Sequence, residues 1–379
     1  MKEPQRDELQ LSRRAEIGNW IKKTLGRGFL LLVTVISAAG ILFILAFMFK
    51  DAFPFFREVG PFGFFHNDVW DPTAEGARRS FGALGIFLST GLVTFGACLV
   101  CVPMGISAAV CLSDVVPFGV RQVVKPIIEL LAAIPSVAYG FFALIVFAPL
   151  LQNAGGPILS VVLWVVSAPT ALLGSMVFSE VISAFFSENA AKFIRPALFI
   201  IMFVACLCVI YFAGSWLYNL KIEQGANALN ASLFLALMAL PTVVSVCEDA
   251  LTAVGREIRE GSYALGATRA ETMIKVVIPA AKGGILAAVL LGVMRAVGET
   301  MVVVMAAGKA TQIPKPWYNL LSPVRPITAT IAIEMGEVAR DTTHYHALFA
   351  LAFILLLFSF ACNLMSEWSV RRTRKKLGG

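Results

Sequence analysis

Eight stretches of this chain are apolar for long enough to cross a lipid bilayer, and that property restricts the fold more than any other. A span needs roughly 20 apolar residues, and in hydrocarbon each backbone N–H and C=O must be satisfied internally, as a helix does. Uncharged runs of that length cover 28–49, 81–113, 130–179, 197–220 and 224–247. Two more cover 283–308, with one charged pair inside, and 347–366. The run 130–179 holds two spans, because QNAGGP at 152–157 supplies a polar, Gly and Pro break. The expectation is an all-α integral membrane protein with eight helices. Composition agrees: 58% of the 379 residues are hydrophobic and 15% charged, with a mean hydropathy of +0.80, far from soluble usage.

Orientation follows from the loop cations. With a cytoplasmic N-terminus, the inner segments hold 21 of the 31 Lys and Arg, the outer ones 9, and Arg295 lies within the membrane. That bias places both termini in the cytoplasm. The formal charge of +7 therefore requires no nucleic-acid partner, and the tail cluster RRTRKK at 371–376 suits anionic lipid. The polar leader 1–27 lacks a small-residue cleavage site, so the first span reads as a retained anchor. Within the leader, Ile17, Trp20, Ile21 and Leu25 have the spacing of an interfacial helix, with disorder the alternative.

No cofactor is expected. Most of the seven cysteines lie in apolar spans, and the Cys98-x-x-Cys101 pair has no second ligand pair, so packing is the better reading. His344 and His346 alone do not make a metal site. The chain carries no G-x-x-x-x-G-K-[ST] phosphate loop, so it is read as a non-enzymatic subunit, any ATP hydrolysis falling to a partner.

Two regions carry more specific chemistry. In the cytoplasmic loop 248–282, Leu251, Val254, Ile258 and Ala264 have helical spacing, Gly266 can supply a positive φ, and Thr268 with Glu271 forms a capping box. A helix-turn-helix on the membrane surface is expected, either resting on headgroups or gripped by another protein. The other region is GVMRAVGETMVVVMAAG at 292–308, where Arg295 and Glu299 interrupt an apolar helix. A membrane-centre charge costs about 2.5–3.5 kcal/mol and is by default functional. Four residues apart, the two share a helix face roughly 6 Å apart along the axis, so their side chains can pair. One reading is mutual neutralisation or stitching to a neighbouring helix; the other is that Arg295 takes an anion. Gly292 and Gly298 would allow close helix approach. Pro135 would kink its span a turn or two beyond Glu129. Arg340 and Asp341 read as solvated residues of the outer loop.

Glu260, Gly266, Val276, Ile278 and Pro279 fit the pattern E-A-A-x3-G-x9-I-x-L-P, and the chain thereby resembles permease subunits of bacterial ABC importers. Gly261 and Ser262 depart from its two alanines. IELLAAIPSVAYGFFALIVFAPL at 128–150, ALGATRAETMIKVVIPAAKGGI at 264–285, LGVMRAVGETMVV at 291–303 and VPMGISAAVCLSD at 102–114 narrow the resemblance to phosphate-importer permeases. The resemblance implies a type I ABC importer permease fold with six core helices. Here the core would comprise 28–49, 81–155 and 221–366, separated by a periplasmic loop at 50–80 and an inserted hairpin at 156–220, and followed by a basic tail at 367–379. The hairpin reads as a lipid-facing addition or a subunit contact.

The resemblance further implies that Glu260, Gly266, Ala267, Thr268 and Pro279 dock a cytoplasmic ATPase dimer. It implies that Arg295 and Glu299 line the substrate pathway, and that a homologous second permease and an external phosphate-binding protein complete the complex in a bacterial inner membrane. A permease for molybdate or sulfate, or a phosphate-sensing membrane subunit, are the other expectations.

Overall fold

A computed structural model describes residues 13–74, 79–183 and 188–376. Residues 1–12 of the leader and 377–379 of the tail lie outside the described residues, as do the side chains of Ile17, Trp20 and Ile21. Helix α1 (Arg13–Glu58) is continuous, so the expected interfacial helix forms its first turns instead of a separate element. Gly26 and Gly28 interrupt nothing, because helix geometry satisfies their backbone groups within the segment. Beyond α1, α2 (Pro61–His66) and a two-stranded hairpin, β1 (Trp70–Asp71) and β2 (Ser80–Phe81), cap this end of the bundle. Phe55, Phe64, Trp70 and Phe81 are buried there with Ala347, Leu348 and Leu351 in a small second core.

Helix α3 (Leu84–Val110) ends in a π-helical turn, Cys111–Val115. Next comes α4 (Phe118–Ala133), none of whose side chains is buried. Ile134 is extended (ψ 128°), and Pro135 precedes α5 (Ser136–Phe142). Pro135 therefore separates two helices where a kink within one span was expected. Its ring disfavours helical geometry at the residue before it. Glu129 accordingly lies on α4, and the third membrane segment starts at Ser136, not near Leu130.

After the π turn Ala143–Phe147, α6 (Ala148–Ser183) bends at Ala154 (φ −133°, ψ 17°), inside the expected break. Among the described residues, seven helices are long and apolar enough to cross a membrane. One of them, Ser136–Met176, has 41 residues, about 60 Å of helix or twice the hydrocarbon thickness. The eight expected segments map onto seven helices because this one carries two of them across its bend. Its second arm packs on α7 (Glu188–Tyr218), with Gly156 against the carbonyls of Leu217 and Tyr218 and Trp164 against Gly214.

The centre of the protein is α8 (Ala228–Thr252). Asn227 caps it, accepting from the Asn230 backbone N–H. Gly105 of α3 seats directly on Val243: a Cβ there would lie 2.7 Å from the valine side chain. Such small residues set the helix spacing where lipid supplies no hydrophobic drive. A helical knob outside the bundle follows, with α9 (Arg256–Ala264), α10 (Arg269–Thr272) and a π turn, Met273–Val277. The chain then re-enters the bundle as α11 (Ile278–Gly298) and α12 (Met301–Ala306). The short α13 (Ile327–Glu334) and the long α14 (Thr343–Lys376) complete it, and α14 packs on α1 and α11.

Candidate functional site: an anchored arginine and a helical knob

Arg295 lies in the last turn of α11, half-buried. Its Nη1 donates to Thr242 Oγ1 of α8 at 3.0 Å. Thr242 follows Pro241, which lacks a backbone N–H and so loosens the α8 ladder at this level. Gly292, one turn before Arg295, brings α11 onto α8, since a Cβ there would sit 2.7 Å from Val243 Cγ2. Tyr139 of α5 stands within electrostatic reach of the guanidinium and donates its hydroxyl to the Leu131 carbonyl at 3.0 Å.

Glu299 does not pair with Arg295. Helix α11 ends at Gly298, Glu299 is extended (φ −74°, ψ 133°), and Thr300 opens α12. The shared helix face expected from the spacing is lost because the helix stops between the two residues, after a glycine of low helix propensity. Thr328 of α13 fixes the break by donating to the Glu299 carbonyl at 2.7 Å. Gly298 has nothing within 4 Å of a built Cβ, so of the two expected close-packing glycines only Gly292 serves that purpose.

The knob is smaller than the expected loop. Helix α8 continues past Cys247 to Thr252, because Glu248 and Asp249 are neutralised as it leaves the core. Glu248, with its side chain 1% exposed, takes ion pairs from both Arg121 and Lys125, the latter at 2.7 Å. Lys125 also reaches Asp249 at 2.9 Å. This cluster was missed in the sequence, although Arg121 and Lys125, four residues apart on an amphipathic helix, signal a common acidic partner.

Leu251 at the end of α8 and Val254 just beyond it are buried, whereas Ile258 and Ala264 of α9 are exposed. Gly266 adopts φ +83°, which favours glycine. Thr268 and Glu271 form the expected capping box, with Thr268 N donating to Glu271 Oε2 at 3.0 Å and Glu271 N to Thr268 Oγ1 at 3.3 Å. Glu260, Gly266, Thr268 and Pro279 are exposed and Ala267 half-buried, with Pro279 in the first turn of α11. At the tip, Leu265 is 90% exposed. An apolar tip on a capped, rigid turn is chemically suited to a protein groove.

On the outer face, His344 Nε2 lies 2.8 Å from Glu334 Oε2, and His346 Nδ1 lies 2.7 Å from the Asp51 carbonyl. Both imidazoles thus serve hydrogen bonds that tie α14 to α13 and α1. Arg325 and the Trp70 indole also converge on Glu334. Arg340 and Asp341 are exposed, as expected.

The described residues thus form a helical bundle with seven helices able to cross a membrane, a rigid knob between α8 and α11, and Arg295 tied to α8. A family model described as binding-protein-dependent transport system inner membrane component matches residues 175–375, and the chain belongs to that family. It is 31% identical over 89% of its length, and 89% of the relative's, to the phosphate transport system permease protein PstC of Pasteurella multocida. The PstC of Mesorhizobium japonicum is 29% identical over 84% of this chain and 80% of its own. The probable ABC transporter permease YqgH of Bacillus subtilis is 26% identical over 83% and 80%. The chain is therefore a multi-pass inner-membrane component of a transport system, resembling phosphate permeases.

Proposed function

We propose that this chain forms half of the translocation pathway of an ATP-driven importer of inorganic phosphate. A homologous second permease completes the pathway, a cytoplasmic ATPase dimer grips the knob around Glu260, Gly266, Ala267, Thr268 and Pro279, and an external binding protein delivers phosphate. The reading draws on the relatives named as phosphate permeases. The observation that carries it is Arg295: of five guanidinium N–H groups, Thr242 takes one.

A planar guanidinium fork is geometrically matched to a tetrahedral oxyanion. Arginine stays charged at every accessible pH, so it can replace part of the hydration shell that phosphate sheds. Glu299, at the helix break instead of beside the guanidinium, sets a negative charge where the anion must pass or leave. Closure of the ATPases on ATP would move the knob and with it α8 and α11, exposing Arg295 alternately to either side. The kinked α6 and α7, from 156 to 220, form a peripheral hairpin in this scheme.

The test is uptake of radiolabelled phosphate by cells expressing Arg295→Gln, with co-purification of the ATPase measured alongside. Uptake is expected to fall at least about 100-fold, as expected for loss of a charged contact made during transfer, while the complex still assembles. Normal uptake would remove Arg295 from the pathway. Competition of uptake by molybdate or sulfate as effective as by phosphate would assign another oxyanion.

A further inference from the structure

We infer that Arg259 and Asp114 form the joint that carries displacement of the cytoplasmic knob to α3, an inference that rests on the reading of the knob as the ATPase contact. Helix α9 has no buried side chain, so apolar packing does not hold it. Its position is set by polar ties. Arg259 Nη1 donates to Asp114 Oδ1 at 3.2 Å, and Nη2 donates to the Leu251 carbonyl at 2.8 Å. Ser262 and Thr272 hydroxyls lie 2.9 Å apart across the turn.

One rigid guanidinium thus bridges the cytoplasmic ends of α3 and α8 from α9. The side chains of the pair are only 15% and 17% exposed, which shelters the contact from solvent screening. Asp114 sits in the π-helical turn that ends α3, and such turns recur at functional positions.

The connectivity gives the pair its purpose. The chain joins α9 directly to α8 and, through α10, to α11. Helix α3 is more than 140 residues away in sequence, and Arg259–Asp114 is its ion pair with α9 among the described residues. Yet α3 is locked to α8 at Gly105–Val243, where 2.7 Å separates a built Cβ from the valine. If α8 moved without α3, that packing would break. The joint ties the end of α3 to the knob itself, so a push from the knob reaches α3 and α8 together and does not load their packing. Lysine could not replace Arg259, because a point charge does not present two fixed N–H directions to a carboxylate and a carbonyl together.

The experiment uses the assembled importer in cells and as purified complex, with three readouts: ATPase retained, ATP hydrolysed and phosphate taken up. Asp114→Asn is expected to retain the ATPase and its hydrolysis while uptake per complex falls about tenfold, the scale of a lost coupling contact. Asp114→Glu, which keeps the charge, should hold at least about half of parental uptake. Parental uptake per complex in Asp114→Asn, an Asp114→Glu variant no better than Asp114→Asn, or an uptake loss matching loss of complex would each overturn the joint. Leu265→Asp is the separate check on the docking reading. Retention of the ATPase by that variant would overturn the docking assignment and the joint with it, whereas release of the ATPase leaves the joint to be judged on Asp114.

Discussion

Helices α7 and α8 are neighbours in sequence, and both are long enough to span a bilayer, but they occupy opposite environments. The most apolar stretch of α7 is the more hydrophobic of the two, yet only 11% of it is buried, against 61% for α8. In water the order would be reversed. In lipid the apolar side chain already has its preferred solvent, and burial is driven by close packing and by polar groups that lipid cannot satisfy. Hence α8 collects Asn227, Asn230, Ser232, Thr242 and Glu248. Asn230 donates to the carbonyls of Ala143 and Gly225 at 3.0 and 3.1 Å, and Ser232 donates to Val93 at 3.1 Å. Helix α7 packs chiefly on α6 and presents Val209, Phe212 and Trp216 outward.

The strongest way to break this contrast is to take away a charge that α8 buries. Glu248→Ala would leave Arg121 and Lys125 facing the core end of α8 without their carboxylate. Breaking a buried pair costs about 3–5 kcal/mol, and because both cations are a quarter to a third exposed and can turn to water, about 3 kcal/mol is expected. Thermal unfolding of the purified complex would measure it. An unchanged midpoint would mean that α4 is held to α8 by something other than this cluster.

The same contrast explains what could be read in advance. Span positions were legible in the sequence because hydrocarbon demands length and the absence of charge, and the capping box and the positive φ at Gly266 were legible because they are local. The ends of helices adjoining charge were not. The extension of α8 to Thr252 depends on Arg121 and Lys125, more than 120 residues away. The break after Gly298 depends on Thr328 of α13 and so undid the pairing inferred for Arg295 and Glu299. Thr242 gave no signal at all, since a threonine in a span is ordinary until its partner is known. Proline at 135 was recognised as a disturbance, but only the three-dimensional structure distinguishes a kink from a helix start.

A smaller effect should follow from crowding α8. Gly292→Ala would place a methyl group 2.7 Å from Val243 Cγ2, and the stiff valine cannot turn away without meeting Gly105 on its other side. Overpacking of this kind costs about 1–3 kcal/mol, and here it also strains the contact of Arg295, which lies one turn beyond Gly292, with Thr242. Both thermal stability and phosphate uptake should fall. Addition of Val243→Ala should recover part of each, because it removes the opposing methyl groups. Failure of that second change to help would show that the two helices are not in register at Val243.

The smallest effect belongs to the hairpin. Gly174 on the second arm of α6 has nothing within 4 Å of a built Cβ. Gly174→Ala therefore meets no steric obstacle and removes an entropic cost, up to about 1 kcal/mol in favour of the helix. Uptake should stay within about twofold of the parent and stability should rise slightly, the opposite sign to Gly292→Ala from the same chemical change. That opposition tests the environment directly, because propensity is common to both sites and only the neighbours differ. If Gly174→Ala instead impaired assembly with the proposed second permease, the exposed face of α6 would be a subunit contact, and its apolar surface would be interface and not lipid boundary.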